Sequence, residues 1–166
     1  GHQGSGKDSM WAPFFWGVRG DAKENVKLMS AQQLNSQFQY QLETEVLVLN
    51  ELREPDARER RALANALKPI IAAPPDLISI NRKGLKPYEM LNRIFVMAFS
   101  NDQVSITLDS DDRRWFCVWS TAPKMTDEES ARLWAWYTKG GLSASAAWLY
   151  ARDVSAFNPS AAPMLT

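Results

Sequence analysis

Gly1-His2-Gln3-Gly4-Ser5-Gly6-Lys7 opens the chain with two glycines five positions apart and a lysine directly after the second. Glycines let a backbone wind tightly enough for successive N–H groups to converge on an anion, and a lysine beside them neutralises it. That is the chemistry of a phosphate-binding loop, with the β- and γ-phosphates of ATP as the ligand. Gly4 adds a further flexible point, and the apolar stretch Met10-Trp11-Ala12-Pro13-Phe14-Phe15-Trp16 continues as a helix whose N-terminal dipole favours phosphate. Pro13 is expected to kink or end that helix. The residue after the lysine is ordinarily Ser or Thr, whose hydroxyl holds Mg2+; here it is Asp8, and Ser9 comes one position late, facing elsewhere on the helix. A carboxylate is a good hard ligand for Mg2+, but unpaired it repels phosphate.

Further along, Val46-Leu47-Val48-Leu49 runs into Asn50-Glu51. The run reads as a strand buried on both faces, ending in the polar pair of a Walker B strand. Glu51 can polarise an attacking water. Asn50 supplies no charge where an acid usually holds the metal's water shell. Asp8 and Asn50 together suggest an exchange, the carboxylate missing from the strand end standing instead at the loop. The apolar run Arg93 to Phe99 suits a central strand, and Asn101 just after it suits a sensor of the γ-phosphate; asparagine is also an ordinary turn residue. Arg82, Lys83 and Lys86 surround Gly84 at a hairpin tip that could grip a nucleic-acid backbone, or form a solvated loop. Arg113 and Arg114 follow Asp111-Asp112 and precede Trp115. Either could reach a neighbouring subunit's nucleotide as an arginine finger, or pair locally with the aspartates. Trp134, Trp136 and Trp148 read as core or subunit packing, with base stacking the lesser alternative.

These residues need a scaffold. Asn25 to Met29, Glu45 to Glu51, Leu77 to Ile80, Arg93 to Phe99 and Trp115 to Trp119 read as strands. Ser30 and Gln33 have capping-box spacing ahead of a helix over about 31–41. Pro55 suits the first turn of a helix carrying Leu63, Leu67 and Ile70. Two helices close the chain, one from Glu128 to Lys139 ended by Gly140-Gly141, the next capped by Ser143. Strands alternating with helices predict an α/β sandwich with a mainly parallel sheet.

Composition narrows the choice. With 166 residues, 19 Lys+Arg against 19 Asp+Glu, and 45% hydrophobic residues, the chain is globular and has no general basic excess for polyanions. One cysteine and one histidine exclude a disulfide framework, a multi-cysteine metal site and a two-histidine metalloprotease motif. No membrane-spanning run or signal peptide is present, so the expected location is the cytosol.

The order of these motifs resembles the superfamily 3 helicases, ring-forming AAA+-like P-loop ATPases of viruses and plasmids. It is most similar to the helicase domain of phage primase-helicase and primase-polymerase proteins. The loop ending Lys7-Asp8, the strand Val46 to Glu51, Ile94 to Asn101, Asp112-Arg113-Arg114-Trp115, and the tail Arg152 to Pro159 carry the likeness. The resemblance implies a three-layer P-loop fold, with residues 1–124 as the ATPase core and 125–166 as its C-terminal helical segment. It implies a homo-hexameric ring working at a replication fork in a bacterial host's cytoplasm, with a primase or polymerase domain on the same full-length chain. Lys7 and Glu51 would act on Mg·ATP from one subunit and Arg113 or Arg114 from the next, while Lys83 and Lys86 escort single-stranded DNA. A P-loop follows a β-strand, and this chain starts within the loop. The expectation is therefore a piece cut before that strand, poorly stable and inactive alone. Two other classes remain open: a P-loop small-molecule or nucleotide kinase, and a nucleotide-binding scaffold without catalysis.

Overall fold

A computed structural model describes residues 4–19, 25–34, 36, 40–49, 56–71, 77–101, 106, 108, 112, 114–158, 161 and 163. Helix α1 (Lys7–Arg19) leads to strand β1 (Val26–Met29), a short helix α2 (Ala31–Leu34) and a single turn at Tyr40–Leu42. Then come β2 (Val46–Leu49), α3 (Ala57–Leu67), β3 (Leu77–Ile80), β4 (Tyr88–Leu91), β5 (Phe95–Ala98), α4 (Asp127–Trp136) and α5 (Leu142–Tyr150).

Strands β1, β2 and β5 form a parallel sheet in that order. Val46 is in register with Val26 on one side and Phe95 on the other, and Leu49 with Met29 and Ala98. β2 is thus hydrogen-bonded along both edges, and all four of its residues are buried. Successive side chains of a strand point to opposite faces. Val46 and Val48 accordingly join Val26 and Met97 against Trp11, Phe14, Phe15 and Val18 of α1. Leu47 and Leu49 join Met29, Leu34, Leu63, Leu67 and Ile70 on the opposite face. The uninterrupted apolar run in the sequence is the mark of a strand with a helix layer on each side, and the α/β sandwich follows from it.

Trp11, Phe14, Phe15 and Val18 stand at helical spacing, which turns one stripe of α1 onto the sheet. Pro13 does not end this helix; it is buried inside it. A proline there has no N–H to give the carbonyl four residues back, that of Ser9. The Tyr137 hydroxyl donates to that carbonyl instead, at 2.9 Å. A donor from a distant part of the chain has replaced the missing intrahelical one, and the helix continues.

Burial raises the Tyr137 phenol above its ordinary value of 10.0, keeping the donor protonated. The folded state therefore holds this proton more tightly than the unfolded one. Its contribution to stability is complete below about pH 10 and drains away as pH rises beyond it. Tyr137→Phe should cost about 1–2 kcal/mol in urea denaturation, because the Ser9 carbonyl loses its donor. Pro13→Ala in the same chain, which restores an intrahelical N–H, should recover part of that loss.

Ser30 and Gln33 make the expected reciprocal bonds, with Gln33 Oε1 accepting from Ser30 N at 2.8 Å, yet α2 stops at Leu34 instead of reaching residue 41. Residues 35 and 37–39 lie outside the described set. α3 is capped by Asp56, whose side chain accepts from Glu59 N at 2.8 Å, and Glu59 returns the bond. Pro55 lies outside the described residues. Leu63, Leu67 and Ile70 are buried as their spacing predicts.

Four expectations change. β3 does not join the parallel sheet: it pairs antiparallel with β4, a strand the sequence did not announce, with Ile80 opposite Tyr88. β5 lies at the edge of the three-stranded sheet among the described residues, with Phe95 55% exposed, instead of at its centre. Trp115–Trp119 pairs with no strand among the described residues; Trp115 packs on the core while Phe116 and Val118 are exposed. β-propensity alone makes no strand without an edge to bond. Ser143 does not cap α5: the chain turns at Gly140, φ 102°, α5 begins at Leu142, and the Ser143 hydroxyl donates to the Gly140 carbonyl. Gly141 is required there, since a Cβ would meet the Trp136 ring at 2.5 Å. Trp134, Trp136 and Trp148 themselves are about half exposed and belong to no core cluster of this chain.

Candidate phosphate-binding site

The loop entering α1 turns through left-handed conformations at Gly4 and Gly6, φ 76° and 80°. Any other residue would be strained at both. Met10 N donates to Gly6 O at 3.0 Å, so the helix begins immediately behind the second glycine. The first-turn N–H groups of an α-helix have no intrahelical acceptor, and their partial positive charge suits an anion. Ser5 Oγ is buried in this loop with no hydrogen-bond partner among the described residues. Buried hydroxyls are normally satisfied, so this one is a polar atom awaiting a partner. The glycine turns, the orphaned hydroxyl and the lysine are a donor set that fits a phosphate chain.

Lys7 sits at the first position of α1, and its ammonium donates to the Asn101 side-chain Oδ1 and to Ser100 O at 3.3 Å. Residues 94 positions apart in sequence are thus in direct contact. The parallel register explains it: β5 ends at Ala98, beside the C-terminal end of β2, and its continuation reaches the helix start across that edge. Ligands in open parallel sheets bind outside this edge. Leu49 ends β2 in register with Ala98; Asn50 and Glu51, which follow, lie outside the described residues, as do Gly1, His2 and Gln3. Asp8 is exposed in the first turn of α1, where a carboxylate interacts favourably with the helix dipole. Ser9 is half-buried, its carbonyl taken by Tyr137. No group of three or more metal-ligating side chains occurs among the described residues.

The basic residues separate into two kinds. Arg82 is ion-paired with Glu43, which precedes β2, and so ties the loop of the β3–β4 hairpin to the chain segment entering the parallel sheet. Lys83 and Lys86 are exposed at the tip around Gly84, φ 82°, with no ion pair among the described residues. Arg114 is occupied locally: its guanidinium lies 3.4 Å from Asp112 Oδ2, and its backbone N–H donates to Asp112 Oδ1 at 2.9 Å. The local pairing of this arginine is therefore present; Arg113 and Asp111 lie outside the described residues.

A part of the site invisible to sequence reasoning comes from the segment before α4. Met125 N donates to Gly4 O at 3.0 Å. A Cβ on Gly6 would meet Met125 Cε at 2.7 Å, and one on Gly4 would stand 3.0 Å from Lys124 Cγ. Thr126 and Glu129 form the capping box that starts α4, and the bond from Thr126 N lowers the Glu129 carboxyl below its ordinary value. The capping pattern in the sequence could have announced this helix start, but not that it lies against the phosphate loop. α1 also packs along α5, where a Cβ on Gly17 would touch Ala146 at 3.3 Å.

No helix among the described residues is long and apolar enough to cross a membrane. None of the curated proteins matches this sequence. Among solved structures, the apo structure of the NrS-1 C-terminal region (305–718) superposes with a TM-score of 0.75 at 22% identity, covering 93% of this chain and 36% of that one. The A-form apo structure of the same region gives a TM-score of 0.61 at 22% identity, covering 87% of this chain and 34% of that one. The chain spans about a third of the length of these structures. Residues 1–114 match the sequence family DUF5906, a family of unknown function. With its α/β layers shared with the NrS-1 C-terminal region and its glycine loop inside the matched span, this chain belongs to the family DUF5906.

Proposed function

We propose that this chain is the P-loop ATPase motor of a superfamily 3 type DNA helicase, part of a phage or plasmid replication protein. The observation that supports it most is the contact of Lys7 with Asn101 at the C-terminal edge of a parallel sheet. A loop lysine and a strand-end amide meet there, as a γ-phosphate sensor beside a phosphate clamp would. In this reading the loop from Gly1 to Ser9 binds ATP, Lys7 neutralises the β- and γ-phosphates, and Asn101 orients the terminal phosphate. Glu51 takes a proton from the attacking water. Arg113 or Arg114 acts on the nucleotide of the adjacent subunit in a hexameric ring; for Arg114 this means leaving Asp112. Lys83 and Lys86 contact the backbone of single-stranded DNA, with Arg82 holding the hairpin in place. Asp8 and Asn50 are the candidate metal ligands, Asp8 being the exposed oxygen donor on the loop side. Bound Mg2+ would offset charge between the phosphates.

The test is ATP hydrolysis by the full-length protein with and without single-stranded DNA. The motor reading expects DNA to raise turnover about tenfold or more, equivalent to about 1.4 kcal/mol of barrier. Lys83→Ala/Lys86→Ala should remove the stimulation while sparing the unstimulated rate. DNA-independent phosphoryl transfer to a small acceptor would favour a kinase, and ATP binding without turnover a scaffold.

A further inference from the structure

Lys124 lies along the phosphate loop. A Cβ built on Gly4 would stand 3.0 Å from its Cγ, 3.4 Å from Cδ and 3.2 Å from Cε, so the stem crosses the loop over its length. The ammonium is one bond beyond Cε, on an exposed side chain whose stem brings it within reach of the loop. It has no ion pair and no hydrogen bond among the described residues. The stem is not there by chance of a floppy side chain: its neighbour Met125 is bonded to Gly4 O through its backbone and covers Gly6 with its methyl. Tyr137, one helix further on, is bonded to Ser9 O. The segment is thus pinned to the loop and to the first turns of α1.

We propose that Lys124 is a second phosphate-binding cation of the nucleotide site, supplied by the C-terminal segment of the same chain. The inference rests on the loop being a nucleotide site and adds a residue to it. Two observations join: a glycine whose missing side chain makes room for the stem, and a cation with no partner among the described residues, at a loop that holds a buried hydroxyl, Ser5 Oγ, also without a partner among them. Lys7 is engaged by Asn101 and Ser100 in this state. A nucleotide carrying several negative charges needs more than one cation, and Lys124 is poised to meet the outer phosphates while its stem keeps the loop closed over them. Attraction between opposite charges at hydrogen-bond distance is strong for a doubly ionised phosphate and absent for a neutral nucleoside.

The experiment measures ATP and adenosine affinity for the full-length protein and for Lys124→Gln, Lys124→Arg and Lys7→Ala. Glutamine keeps a long stem and removes the charge. Lys124→Gln is expected to weaken ATP about tenfold, leave adenosine unchanged, and be rescued by Lys124→Arg. If Lys7→Ala destroys ATP binding while Lys124→Gln matches the parent, the proposal is wrong and the phosphate loop stands. Equal losses of ATP and adenosine in Lys124→Gln would show a packing role only and also overturn it. If neither Lys7→Ala nor Lys124→Gln changes ATP affinity, the nucleotide site itself is wrong.

Discussion

Lys7→Ala should lower ATP affinity about a hundredfold or more while leaving the fold intact. The lysine would give two or more charge-assisted hydrogen bonds to phosphate, each worth about 1.5–3 kcal/mol, and about 1.4 kcal/mol is a factor of ten. Its loss to folding is small by comparison. In the present state its ammonium holds the Asn101 amide oxygen and the Ser100 carbonyl on the half-open rim of the sheet, where water can replace it. Isothermal titration with ATP, together with a thermal melt, separates the two effects. Unchanged affinity in a folded Lys7→Ala protein would remove the phosphate-loop reading. Asn101→Ala makes the companion measurement: it removes one acceptor of Lys7 and the candidate γ-phosphate contact. It should therefore lower turnover more than binding.

Leu47→Ala should be the most destabilising of the conservative core truncations, by about 3–5 kcal/mol in urea denaturation with an unchanged slope. Leu47 is 0% exposed, lies on the strand bonded along both edges, and faces the cluster built by α3 and the hairpin. Few neighbours there can move to fill the void without breaking the parallel ladder. Phe95→Ala provides the contrast. That ring is larger, yet it is 55% exposed on β5 and meets the Phe14 ring edge-on, at 6.2 Å between ring centroids. Its loss should cost clearly less. A cost for Leu47→Ala below about 1 kcal/mol would mean that β2 does not sit between two helix layers.

Both results bear on what a single sequence can disclose. The middle strand was legible because a run of Val46 to Leu49 with no polar alternation has one economical explanation, burial on both faces. The tight turns of the loop were legible because glycines are local chemistry, and Gly4 and Gly6 do adopt the left-handed conformations that only glycine takes without strain. Capping boxes at Ser30 and at Thr126 follow from neighbours three residues apart, a distance within the reach of a side chain.

Everything that depends on a distant partner lay outside that reach. Pro13 read as a kink or end of the helix because its cost is local, while its remedy, the Tyr137 hydroxyl bonded to Ser9 O, comes from a residue 128 positions from Ser9. Trp115–Trp119 read as a strand because its residues favour one, yet no strand pairs with it among the described residues. Arg82, Lys83 and Lys86 are three similar cations in sequence; Glu43 takes the first and leaves the other two at the tip. Residue types and short spacings determined which chemistry this chain can attempt and which strand carries its core. The tertiary structure alone decided that Lys7 meets Asn101, that Lys124 lies on Gly4, and that the helical C-terminal segment braces the loop. Such contacts arise from chain crossings and parallel register, in which residues far apart are brought together only after the layers have packed.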